Sequence, residues 1–242
     1  MILLILCILL SSVLSSDHFT EEFSRAEKKT VTLALVGDGL VSKACKNFNL
    51  AAKLTNSSHA YNLEVSEFAT SGAKIEQIKS KILKKALARE TQAIILLWNS
   101  DVTEVHEDNM NSTTRAETRD KYYQNVVDVL DAIIATGAQP FLSGPTILGE
   151  NKGMEGRPKK YINKDRMLEE YKKINEEIAK KKRVPYIDLR KELVNILRKR
   201  KHKDYKGFMT VDGEHFNEKG STFVAHVLAT AIKKWMVNIC CV

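Results

Sequence analysis

From Thr30 onward the chain alternates strand-like and helix-like segments five times. Short β-branched runs occupy Thr30–Val36, Asn62–Phe68, Ala93–Trp98, Gln139–Ser143 and Val184–Leu189. Each is followed by apolar residues at helical spacing, over Leu40–Leu54, Ile75–Leu87, Tyr122–Ala135, Asp165–Lys181 and Lys191–Arg200, and a last helix is predicted over Lys219–Val237. Alternation of this kind predicts a parallel sheet covered by helices on both faces, an α/β architecture joined by right-handed crossovers. There is no internal repeat or low-complexity linker, and only 4 prolines occur in 242 residues, so one domain over residues 30–237 is expected. A polar lead-in (17–29) and a short tail (238–242) flank it.

The stretch "MILLILCILLSSVLSS" is uninterrupted apolar sequence followed by small residues, too short for a comfortable membrane span. It reads as a secretory signal over residues 1–16, cleaved after Ser15 or Ser16, although its start carries no Lys or Arg. Export would make Asn56 ("NSS") and Asn111 ("NST") glycosylation acceptors. Of the 4 cysteines, Cys7 leaves with the signal, and Cys45, Cys240 and Cys241 allow one disulfide with one thiol over. No zinc-ligand spacing occurs, and neither metal nor cofactor is expected.

Net charge is +8, concentrated at Ala179–Arg183 and Arg198–Lys203. Basic runs of this sort complement helix C-termini or attract an acidic partner. No aromatic residues interleave with them as base stacking requires, so a nucleic-acid partner is not expected.

Doubly wound sheets bind ligands beyond the carboxyl ends of their strands. There the chain carries "GDGL" (Gly37–Leu40), "ATSGAKI" (Ala69–Ile75), "LLWNSDV" (Leu96–Val102) and "LSGPTILGE" (Leu142–Glu150), and before the closing helix "TVDGEHFNEKG" (Thr210–Gly220). Asp212 and His215 stand three residues apart, a spacing that lets a carboxylate turn back onto an imidazole. Such a pair serves as a general base, the carboxylate fixing the tautomer. An Asp capping a turn with a His at a helix start gives the same letters.

Together, in this order, the segments resemble the blocks of the SGNH, or GDSL, hydrolase family, over about Thr30 to Lys234. "GDGL" resembles the nucleophile block G-D-S-L, and "TSGAKI" the second block, with its glycine at Gly72. "WNSD" occupies the G-x-N-D block, and "VDGEHFNEKG" closely matches D-G-x-H-L-N. "SGPTILGE", "YINKDRMLEEY" and "VPYIDLRKEL" resemble the acetyl-ester-hydrolase-like branch. The resemblance implies a flavodoxin-like three-layer α/β/α sandwich with strand order 2-1-3-4-5. It also implies ester hydrolysis by a serine that His215 deprotonates and Asp212 orients. An oxyanion hole would come from the N–H at the nucleophile, the Gly72 N–H and a third-block asparagine.

Two departures follow. Gly39 stands where the serine belongs, so no Oγ exists to attack. Keeping Asp101 aligned puts Ser100 at the asparagine position and Asn99 one residue early; either is a candidate donor. Losing a triad nucleophile characteristically costs about 10⁶-fold in turnover. The expectation is therefore a secreted relative of short-chain acyl or acetyl ester hydrolases, inactive or impaired, that retains a pocket for a small ester, an acylated glycan or a lipid. The alternatives are a hydrolase in which His215–Asp212 acts on water, and an interaction protein that uses its basic surface. Trp98 is expected to be core, and His106 and His202 solvated.

Overall fold

The computed structural model describes residues 29–42, 49–57, 61–103, 111–150, 159–199 and 206–240, without the side chains of 159–161 and 238–240. Five parallel strands form one sheet: β1 (Thr30–Gly37), β2 (Asn62–Ala69), β3 (Ala93–Leu97), β4 (Gln139–Ser143) and β5 (Tyr186–Ile187), in the order 2-1-3-4-5 that the resemblance implies. Gly37 pairs with Ala69 on one side and Leu97 on the other, so the ends of β1, β2 and β3 lie level. Their order reverses at β1, which opens the crevice where ligands enter sheets of this type.

The helices are α1 (Leu50–Asn56), α2 (Ile75–Gln77, a π-helical Ile78–Ile82 and Leu83–Leu87), α3 (Ser100–Thr103), α4 (Ser112–Ile134), α5 (Lys159–Lys182), α6 (Leu189–Arg198) and α7 (Glu218–Cys240). Side chains along a strand point alternately to opposite faces. Here that alternation divides the core in two. Ala34, Val36, Ile94 and Leu96 pack with Ile78, Val126, Leu130 and Leu168 of α2, α4 and α5. Leu33, Leu35, Ile95 and Leu97 pack with Leu54, Leu193, Val224 and Leu228 of α1, α6 and α7. The central strands are apolar on both faces because both faces are covered.

Local chemistry moves several predicted boundaries. No helix starts at Leu40: the Asp38 carboxylate accepts the Leu40 N–H (3.0 Å) and its carbonyl accepts Val41 and Ser42, giving one isolated turn. Residues 43–48 lie outside the described set, and α1 begins after Asn49, whose side chain caps it at Ala52 N–H (3.0 Å). The last strand shrinks to two residues because Asp188 caps α6, accepting Lys191 N–H at 2.9 Å. Upstream, α5 ends on Arg183 in the left-handed conformation (φ 56°), a common helix terminator.

Trp98 is buried in the first core, 6.2 Å from the Tyr122 ring. Asn56 is exposed at the end of α1, and Asn111 caps α4 through its side-chain oxygen, 2.8 Å from Thr114 N. The signal segment, most of the lead-in, Cys45, Cys241, His106, His202 and most of the Arg198–Lys203 run lie outside the described residues, as does the Cys240 side chain.

Candidate active site

The first strand ends on a glycine because nothing larger fits. A Cβ on Gly37 would stand 1.9 Å from the Leu97 carbonyl oxygen of β3. Asp38 follows, buried, and ties the two strand ends together. Its Oδ2 accepts the backbone N–H groups of Asn99 (2.7 Å) and Ser100 (2.8 Å) and the Ser100 hydroxyl (2.6 Å). Burial raises the Asp38 pKa, and these bonds, which favour the charged form, work against that rise.

After β2, Thr70–Ala73 forms a tight turn closed by Ala73 N–H to the Thr70 carbonyl (3.1 Å). Its third residue, Gly72, has φ 71°, the conformation that glycine supplies at that position of a type II turn. The Gly72 N–H donates to no described residue. The Asp101 carboxylate accepts Ile75 N–H at 2.6 Å, at the start of α2. Desolvation pushes Asp101 up to about 7 in spite of that bond.

The Asp212–His215 loop is held from beneath by the loop after β4. Buried Glu150 accepts N–H groups of Phe208 (2.9 Å), Met209 (2.9 Å) and Thr210 (2.6 Å), and also the Thr210 hydroxyl. Gly149 N–H donates to the Gly213 carbonyl (2.6 Å). Gly213, at φ 97°, turns the chain, and Asp212 Oδ1 accepts the N–H groups of Glu214 (2.9 Å) and His215 (2.8 Å). Asp212 Oδ2 then lies 2.7 Å from His215 Nδ1.

The electrostatics of the pair follow. Partial burial would raise Asp212, but the His215 ring and the two N–H groups more than offset it and bring it to about 2. His215 is raised, first by its hydrogen bond to Asp212, against a smaller effect of burial. With Nδ1 facing Asp212, Nε2 is the nitrogen left for a ligand or water.

Gly39, Gly72, Ser100, Glu214 and His215 line one cavity of about 420 Å³. It lies at the carboxyl ends of the strands, and Asp212 stands behind His215, outside the wall. Asn99 is not in the wall. It is almost fully buried, its amide donates to Thr146 Oγ1 (2.7 Å), and its carbonyl oxygen accepts Thr146 N–H (3.0 Å). The Ser100 hydroxyl donates its hydrogen bond to Asp38. Neither supplies a free side-chain donor of the kind expected from the resemblance. Glu150, Thr146 and Glu214 were missed in the sequence. The first two sit in the "LSGPTILGE" segment and the third inside D-x-x-H, so position alone marked them.

Among the described residues no cluster of His, Cys, Asp and Glu is arranged to hold a metal ion, and no helix is long and apolar enough to cross a membrane. A larger cavity, about 640 Å³, lies against β5, α6 and α7 around Phe141, His226 and Trp235 and contains none of the strand-end residues above.

No protein-family model and no curated protein sequence matches the chain. Solved structures do. The acetyl xylan esterase AlAXEase superposes with a TM-score of 0.65 at 18% identity, over 84% of this chain and 100% of that one. The lipase/acylhydrolase from Enterococcus faecalis gives 0.62 at 17% identity, over 84% and 96%. Axe2, an acetylxylan esterase from Geobacillus stearothermophilus, gives 0.65 at 14% identity, over 85% and 95%. At these identities the chain shares their fold.

Proposed function

We propose that this chain is an SGNH-type relative of the ester hydrolases that has kept the pocket and the base but not the nucleophile. Its ligand is a short-chain acyl ester, foremost an acetylated glycan, with an acylated lipid as the alternative. One observation carries this: His215, held by Asp212 at 2.7 Å, shares a cavity with Gly39 and Gly72 at the strand ends. The wall is mostly polar, with Lys74, Gln77, Ser71 and Thr103 also in it, which suits a hydroxyl-rich ligand bearing a small acyl group. The neighbouring folds include two acetylxylan esterases, in keeping with that choice.

Turnover is impaired in this reading for two reasons. No hydroxyl stands at Gly39, and removing a triad nucleophile leaves roughly 10³–10⁴-fold acceleration over water. The oxyanion site also loses its side-chain member, since Ser100 donates to Asp38 and Asn99 to Thr146. A second reading, direct hydrolysis by water, is favoured by the raised basicity of His215. Export through the N-terminal segment, with glycosylation at Asn56 and Asn111, belongs to the same proposal and rests on the sequence.

The deciding experiment compares residues 17–242 with the Gly39→Ser and His215→Ala variants on p-nitrophenyl acetate and an acetylated xylooligosaccharide. The expected result is turnover by Gly39→Ser at least about 10³-fold above the natural chain, lost when His215→Ala is added. Calorimetry should show the natural chain binding the oligosaccharide. A folded Gly39→Ser protein without turnover, together with absent binding, would overturn the reading. Insensitivity of ligand binding to His215→Ala would favour a partner surface elsewhere, such as the basic runs.

A further inference from the structure

The cavity contains a carboxyl group that triad chemistry does not use. Glu214 precedes His215 and lines the same wall as Thr103, the last residue of α3. We propose that Glu214 is a second proton-carrying residue of this pocket, acting with His215 on water in an ester hydrolysis that forms no acyl-enzyme. This rests on reading the cavity as an ester site.

The surroundings of Glu214 set it apart from Asp212 on the same loop. Its own loop brings His215 and Asp212 near it, the turn after β1 brings Asp38, and Lys74, at the N-cap of α2, and Gln77 stand in the same wall. Desolvation is the largest influence and the Asp38 carboxylate adds to it, so Glu214 is pushed up to about 7 although His215 and Thr103 favour its charged form. Asp212 stays ionised at about 2. Two carboxyl groups with pKa values driven apart divide the labour of acid and base. One orients the imidazole, and the other carries a proton at neutral pH.

A serine enzyme has an acyl intermediate, so one histidine gives and takes the proton in two separate steps. Without Gly39 bearing a hydroxyl, water must attack the carbonyl carbon directly. The water proton passes to His215 Nε2 and the carbonyl π pair moves onto oxygen. As the intermediate collapses the C–O bond breaks, and the leaving alkoxide takes the proton of the Glu214 carboxyl. His215 then returns its proton to Glu214, directly or through solvent. The sum is ester plus water to acid plus alcohol, with both residues restored.

The test uses the natural chain and its Glu214→Gln and Glu214→Asp variants, with His215→Ala as control, on two acetyl esters. The acetylated xylooligosaccharide has an alkoxide leaving group that needs a proton, whereas p-nitrophenolate leaves without one. The natural chain is expected to show slow, His215-dependent turnover with a bell-shaped pH profile near neutrality. Glu214→Gln should lower oligosaccharide turnover about 10²-fold, at least about tenfold more than its effect on the p-nitrophenyl ester, and remove the alkaline limb. Glu214→Asp should keep that limb.

Melting curves supply a reading independent of turnover. A carboxyl whose pKa is raised on folding destabilises the protein as pH climbs from the unfolded to the folded value. Glu214→Gln should therefore raise the Tm more at about pH 8 than at about pH 5. Equal losses on both esters, an unchanged pH profile, a pH-independent Tm difference, or no His215-dependent turnover by the natural chain would each overturn the proposal. The last of these, alongside an active Gly39→Ser variant, would leave the pocket assignment standing and remove only the role of Glu214.

Discussion

Asp212 grips His215 at two points: one carboxylate oxygen lies 2.7 Å from the ring Nδ1, and the other accepts the backbone N–H of the same residue at 2.8 Å. The three-residue spacing makes this possible, and Gly213 at φ 97° closes the loop tightly enough for it. Ring tautomer and loop shape are thus set by one side chain.

Removing that grip has a definite pH signature. Asp212 raises the His215 pKa above its ordinary 6.5, and a general base works only when neutral. In a Gly39→Ser background, turnover should climb as pH rises through that elevated value. Asp212→Asn should move the climb to lower pH and cut kcat by about 10⁴-fold. Rate profiles of the two variants check both, and an unmoved midpoint would count against the pairing.

The stability of the pair has the matching sign. His215, raised on folding, stabilises below its unfolded pKa and loses this as pH climbs through the folded one. Asp212, depressed to about 2, stabilises above its unfolded value and loses this as pH falls toward 2. The contribution should be greatest at roughly pH 4–6.5, seen as the largest Tm loss of His215→Ala in that window. Solvent exposure of both groups keeps the effect small.

Gly37→Ala tests the junction of β1 and β3. The added Cβ meets a backbone oxygen at 1.9 Å, which no rotamer change relieves. Separating the central strands should cost about 1–3 kcal/mol or more, read by urea denaturation. A loss under about 0.5 kcal/mol would show that the strands part easily.

Glu150→Ala should loosen the His215 loop from below. It leaves the N–H groups of Phe208, Met209 and Thr210 without their acceptor in a dry setting, at about 1–3 kcal/mol for each group that water does not reach. Hydrogen exchange at residues 208–215 should accelerate more than exchange in β1 and β3.

Arg190→Met isolates a different support. The buried guanidinium bonds Asp165 Oδ1 (2.7 Å), Glu169 Oε2 (2.8 Å) and the Thr146 carbonyl (3.0 Å), linking α5 and α6 to the loop that holds Asn99. Removing one partner of a buried charge network costs about 3–5 kcal/mol. Denaturant midpoints of the variant against the natural chain measure it.

The sheet was legible because β-branched runs and helical apolar spacing are local properties that survive any arrangement of neighbours. Alternation along β1 and β3 placed Leu33, Leu35 and Ile95 on one face and Ala34, Val36 and Ile94 on the other, as a two-sided parallel sheet requires. The Asp212–His215 contact lies within one loop, so its spacing was readable too. The helix expected from Leu40 was not. Apolar spacing there hid the Asp38 carboxylate, which folds back onto Leu40 N–H and ends the segment as a turn.

What tertiary structure alone decided is which long-range partner each polar group found. "WNSD" offered Asn99 and Ser100 as equivalent donors, and their fates separated only when the β3 end met Asp38 from β1 and Thr146 from the loop after β4. Glu150 became a support for residues 208–210, about 60 positions away, and Glu214 acquired its raised pKa from burial, with the Asp38 carboxylate adding to it. The physical reason is common to all three. Periodicity specifies the face a residue points to, whereas hydrogen-bond partners and desolvation depend on loops that strand crossovers bring together in space.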